Sequence, residues 1–210
     1  MTNIEQPQDV EEEIRDAVES GSDVHQKIKA ITLKALTRRQ LDKENIKNVI
    51  ESVSNGINQG MATRTEQAKE IFGHAASALD EALAVAVEAS KLAIEEASSR
   101  VNEYSHHDLN SAEEELKGME GLFLETLEKV VNGNQVITDI VGDFVTHVRH
   151  SGTSVGKQTL TALDTLKQLP HWGKETAVSS AVATTITLAQ IGSGILSGIS
   201  ESLQSSHSNK

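Results

Sequence analysis

Histidines and carboxylates one helical turn apart are the residues of this chain whose types and spacing best suit chemistry. Glu103-Tyr104-Ser105-His106 has the Glu-x-x-His spacing that places both ligands of a carboxylate-bridged di-iron site on one helix face. Such a site takes a second copy of the motif and two further glutamates, and the sequence holds no second copy. Asp143 and His147 stand four residues apart, and His147 and His150 three apart, so the three can share one side of a helix as a surface site for zinc or another divalent metal. His106, His147 and His150 are thus the candidate metal ligands. Ordinary solvent-facing histidines near helix ends are the stronger expectation, so no metal and no cofactor is expected.

Gly152-Thr153-Ser154-Val155-Gly156-Lys157 invites comparison with a phosphate-binding loop. It falls one residue short between the glycines, Gln158 stands where Ser or Thr would hold magnesium, and no strand precedes it. Glu113-Glu114-Glu115 reads as first-turn acids favoured by a helix dipole rather than as acid/base machinery. With no cysteine there is no thiolate nucleophile, disulfide or Cys-ligated metal. No nucleophile stands at readable spacing from either histidine cluster, and a non-enzymatic protein is expected.

The elements that position these residues are helices. From Leu109 to Leu169 apolar residues recur in steps of three and four, through Phe123, Ile137, Val141, Phe144 and Leu166. That period places them along one helix side. Glycines interrupt the run at Asn132-Gly133-Asn134 and Ser151-Gly152, yet the seam keeps its phase through both, which predicts one continuous arm, with three collinear pieces as the alternative. A preceding helix over about 64–104 has a seam through Phe72, Leu79 and Leu83, with Asp80, Glu81, Glu88, Lys91, Glu95 and Ser98 assigned to a solvated face. Thr63-Arg64-Thr65-Glu66 and Ser111 with Glu114 have capping-box spacing. The expected fold is all-α: an elongated antiparallel hairpin or bundle of long amphipathic helices with coiled-coil-like packing. Residues 1–22 are expected to be an acidic, partly disordered segment, 23–60 two short amphipathic helices with Asp23 as an N-cap, and 61–170 the hairpin. Gly60 is expected to end the second short helix.

Composition narrows the function classes. Aromatics are 2% of the chain, so the core rests on aliphatic and alanine side chains, which suit helices packed side by side better than a walled cavity. A net charge of −12 repels phosphate backbones, so no nucleic-acid partner is expected. The acidic beginning lacks the basic and apolar regions of a secretory signal, and a cytoplasmic location is the default expectation. Acidic residues between Asp9 and Glu19 precede basic ones between Lys27 and Lys47, a pattern open to pairing within or between chains.

Residues 176–200 hold no charge over twenty-five positions, a length that spans a bilayer, but thirteen of them are Ser, Thr, Gly or Gln, so autonomous insertion is marginal. Gly194 and Gly198 form a GxxxG pair that permits close helix contact in protein or lipid. A small-residue helix over 171–204 is expected, followed by a disordered tail at 205–210. Trp172, beside Pro170, is expected to pack at a helix corner or to anchor at an interface.

The Ala-rich stretch AASALDEALAVAVEASKLAIEEA at 75–97, the scarcity of aromatics and the absence of cysteine resemble phasins, helical proteins that coat polyhydroxyalkanoate granules. The resemblance covers about 42–169 and carries no catalytic motif. It implies a coat on a hydrophobic granule or lipid surface. Read from the residues alone, the chain is a self-associating helical protein whose apolar stripe faces another helix or such a surface. The alternatives are a membrane-associated protein anchored by 176–200, peripheral to a membrane or granule, and a histidine-ligated metal-binding protein.

Overall fold

The computed structural model describes residues 7–62, 67–99, 106–130, 135–168 and 188–207. Among them the fold is all-α, with eight helices packed as a bundle. The Thr63–Glu66 capping box, Glu103, Trp172 and the first part of the uncharged 176–200 stretch lie outside the described residues.

Helix α1 (Pro7–Ser20) occupies most of the acidic segment expected to be partly disordered. Its buried Val10, Ile14, Ala17 and Val18 repeat at helical spacing, and Gly21 closes it at φ 65°, with its N–H on the Val18 carbonyl. Helix α2 (Val24–Thr37) follows, and its Lys34 pairs with Glu13 of α1, so part of the acidic-then-basic pattern is satisfied within the chain. Helix α3 (Lys43–Met61) is capped by Asp42, whose carboxylate accepts from the Asn45 N–H at 2.8 Å.

α3 crosses α1 at Gly56 and Gly60. A Cβ at Gly56 would lie 2.5 Å from the Glu11 carbonyl oxygen, and one at Gly60 2.6 Å from Val18 Cβ. Gly60, expected to end α3, therefore lies inside it, and the closest approach of a glycine to another helix's backbone among the described residues is here.

Helix α4 (Ala68–Ser99) is about 48 Å long at 1.5 Å per residue and touches α2, α3, α5, α6, α7 and α8. It is buried nearly all round: Ala75, Ala76, Ala78, Leu79, Ala82, Leu83, Ala86, Val87 and Ala89 have no exposed surface. Small side chains are what let so many helices approach one axis. Phe72 is buried at its start and meets Phe144 edge-on at 5.4 Å.

The predicted arm over 109–169 is not continuous. It divides into α5 (His106–Val130), α6 (Gln135–Ser151) and α7 (Ser154–Leu166), and these are not collinear. Lys69–Asp143, Asp80–Val155 and Glu88–Gln158 contacts run up both partners together, so α6 and α7 lie parallel to α4. Arg149–Glu128 and Thr153–Glu120 contacts run oppositely, so α5 is antiparallel to them. The physical cause of the α6–α7 break is Gly152, at φ 77°, whose N–H bonds the Val148 carbonyl at 2.7 Å in a left-handed cap. Thr153 then caps α7. Phase was kept because both pieces turn their apolar lines to the same core: Phe123, Ile137, Val141 and Leu166 are buried, and Phe144 is half-buried against them. Helix α8 (Leu188–His207) extends through 205–207, expected to be disordered.

Candidate contact surface on the last helix

Alternate sides of α8 do different things. Gly192, Leu196 and Ser200 form its buried line, and a Cβ at Gly192 would stand 3.3 Å from Leu41 Cδ1 and 3.8 Å from Ala93 Cβ. Ser193 fixes the helix onto the link between α2 and α3: its Oγ lies 2.6 Å from the Arg39 carbonyl oxygen and accepts from the Leu41 N–H at 3.1 Å. The outer line is Gln190, Gly194 and Gly198, all exposed, flanked on one side by half-buried Ile191, Ile195 and Ile199 and on the other by half-buried Ser193 and Ser197. Among the described residues, no atom beyond the helix's own backbone lies within 4 Å of a Cβ built at Gly194 or Gly198. The GxxxG pair singled out from sequence thus faces open space, and Gly192 makes the close contact instead. No helix among the described residues is long and apolar enough to cross a membrane.

The described histidine candidates form no ligand set. His147 and His150 are exposed on α6, His150 Nδ1 lies 2.9 Å from the Thr146 carbonyl oxygen, and Asp143 is engaged by Lys69. His106 opens α5, and its side chain is outside the described set. Among the described residues there is no group of three or more side chains placed to hold a metal ion.

The phosphate-loop look-alike is filled by the protein itself. At the N-terminus of α7 the Ser154 and Val155 N–H groups donate to the Asp80 carboxylate at 2.6 and 2.9 Å, and the Gly156 N–H donates to Thr153 Oγ1 at 2.8 Å. Thr153 in turn donates to Glu120, whose carboxylate occupies the space a Gly156 side chain would need. All three first-turn donors that a phosphate would take are therefore satisfied internally. Asp80, assigned from sequence to a solvated face, is 8% exposed, a correction with a clear cause: a helix N-terminus docks on that face and needs an anion. Periodicity along α4 carries no trace of this, because the partner lies about 75 residues away.

Among the described residues, the carboxyl groups of Glu81 and Glu115 are shifted. Burial pushes Glu81 up, but Lys29 at 2.6 Å and His25 at 3.1 Å outweigh it and hold the carboxyl below the ordinary glutamate range. Glu115 is raised, by burial first and then by Asp42, with Lys43 opposing.

No curated protein and no solved structure matches the chain. The profile of a family of unknown function, DUF6781, matches residues 1–205, and the chain belongs to that family.

Proposed function

We propose that this chain is a non-enzymatic interaction protein that self-associates through the outer face of α8. The observation that carries the reading is the open Gly194–Gly198 line beside half-buried isoleucines, on a stretch of α8 that is uncharged from Leu188 to Ser200. Two copies each carrying −12 repel wherever their charged surfaces meet, and this strip lets them approach without that opposition. Glycine lets the two backbones come close while Ile191, Ile195 and Ile199 lose their remaining water contact. The seams through 72–97 and 109–169 supply the fold rather than the contact, since most of their described side chains are already in the core.

The phasin-like reading uses the same face differently. With the Ala-rich stripe of α4 enclosed, adsorption to a granule or lipid surface falls to α8, whose exposed uncharged strip favours it.

Size-exclusion chromatography with light scattering on the wild type and on Gly194→Leu/Gly198→Leu tests the proposal. The expected result is a dimer or larger wild type and a monomeric double variant with undiminished helicity, since both positions have room for the side chain. A monomeric wild type, or equal masses, overturns it. Flotation with vesicles separates the second reading, in which the leucine variant binds the surface more strongly than the wild type.

A further inference from the structure

We propose that α6 is a hinged cover over the core at Phe72 and Leu127, which opens as a unit while the rest of the bundle stays closed. Four of its seventeen residues are buried, Ile137, Val141, Val145 and Val148, against six of thirteen in α7. Two ion pairs tie it to other helices, Lys69–Asp143 and Arg149–Glu128, and all four side chains are at least 42% exposed, so these ties add little.

The floor beneath the first half of α6 is incompletely packed. A cavity of about 10 Å³ lies between Ile137 and Val141 of α6, Phe72 of α4, Leu127 of α5 and Met61 of α3. It is at the lower limit for one water, and the apolar atoms around it forfeit part of their contact across the gap. Ser54 lines the same cavity, is 4% exposed, and its Oγ has no hydrogen-bond partner among the described residues. A buried hydroxyl left unpaired costs the closed state the hydration that lifting α6 restores. The closed position is thus weakened at one place by a gap and by an unpaired polar group.

The end of α6 supplies the hinge. Gly152 stands at φ 77°, a conformation that costs glycine nothing, and the chain beyond it is fixed: Asp80 accepts from the Ser154 and Val155 N–H groups, and Thr153 donates to Glu120. α6 can therefore swing about Gly152 without α7 leaving α4. Opening breaks the edge-on contact of Phe144 with Phe72 and turns the apolar line from Ile137 to Val148 toward solvent. Elements that move are drawn from the least stable part of a fold, and a thinly buried helix beside a fixed hinge meets that description. The inference does not rest on self-association, because α6 and α8's outer face share no residue.

The test is native-state hydrogen exchange of the full chain, read amide by amide at low denaturant, on the wild type and on Ser54→Ala. In the wild type the α6 amides are expected to be about tenfold or more less protected than those of α3, α4 and α7, through an opening that depends less on denaturant than global unfolding does. Removing the unpaired hydroxyl favours the closed position, so Ser54→Ala should raise protection in α6 about fivefold beyond any change in α4. The α4 amides serve as the reference because a better helix former in α3 strengthens the whole fold and is read there. Equal protection of α6 and α4 in the wild type, or a Ser54→Ala effect no larger in α6 than in α4, overturns the proposal.

Discussion

Glycine-to-alanine substitution inside α3 and inside α4 or α6 should have opposite signs. In a helix interior glycine is about 1 kcal/mol worse than alanine, so every such change starts with the same intrinsic gain. At Gly73 and Gly142 a new Cβ meets nothing within 4 Å, and the gain is realised. At Gly56 the Cβ would stand 2.5 Å from the Glu11 carbonyl oxygen and 2.8 Å from Ile14 Cβ, and at Gly60 2.6 Å from Val18 Cβ and 2.8 Å from the Arg15 carbonyl oxygen. These are backbone and Cβ atoms, which cannot swing aside as a side-chain tip can. Relief requires α1 to move away by roughly 1 Å, which forfeits up to half of each contact along the interface that buries Val10, Ile14, Ala17 and Val18. Overpacking of this kind costs about 1–3 kcal/mol, leaving a net loss of up to about 2 kcal/mol once the helix gain of about 1 kcal/mol is subtracted. At ~2–4 °C per kcal/mol for a chain of this size, Gly73→Ala or Gly142→Ala should raise the melting temperature by ~2–4 °C, and Gly56→Ala or Gly60→Ala should lower it by up to ~8 °C. Thermal melts followed by circular dichroism measure both. If the α3 variants melt as high as the α4 and α6 variants, the close α1–α3 crossing is wrong.

Asp80→Ala should destabilise by about 3 kcal/mol, because two buried N–H groups lose a charged acceptor, and Asp80→Asn by about half of that. Hydrogen exchange should show α7 amides losing protection first, and wild-type-like denaturant midpoints for both variants would contradict the clasp. Glu81 titrates below the ordinary glutamate range when folded, so its contribution is present above that range and is lost as pH falls through and below it. Glu81→Gln should therefore flatten the acid limb of a stability-against-pH curve, and an unchanged limb counts against the Lys29–Glu81 contact. Glu115 has the opposite sign: its folded carboxyl titrates higher, so its ionisation disfavours the fold as pH rises through the ordinary range. Glu115→Gln should be more stable than wild type at pH 7 and indistinguishable at pH 4 by urea melts.

Helix class and core were legible because period and burial are local properties of sequence. Phe72, Leu79, Leu83, Phe123 and Leu166 could be placed on the inner side from spacing alone, and they are inside. The break at Gly152 was also written in the chain, as a glycine followed at once by a capping threonine, but an unbroken hydrophobic phase masked it. Phase records which way a residue faces and is silent about whether the axis continues. The GxxxG pair at Gly56 and Gly60 has the same spacing as that at Gly194 and Gly198, and only the structure distinguishes the crossing that is filled from the face that is open. Asp80 was beyond reach, since its partner amides are set by tertiary docking.

The seat of α8 has a consequence for how this chain comes into being. Leu41 and Ser193 are 152 residues apart, so the groove that receives the last helix is built long before its occupant leaves the ribosome. Synthesis at ~5–20 residues per second leaves that groove, with Leu41 and Ala93 at its floor, uncovered for about 5–20 seconds. During that interval the nascent chain presents an apolar slot shaped for an uncharged helix, and a neighbouring copy's finished α8 fits it as well as its own does. Exchange of the final helix between chains emerging from one polysome is therefore a built-in hazard, and the rate at which each chain captures its own α8 governs the yield of correctly closed molecules.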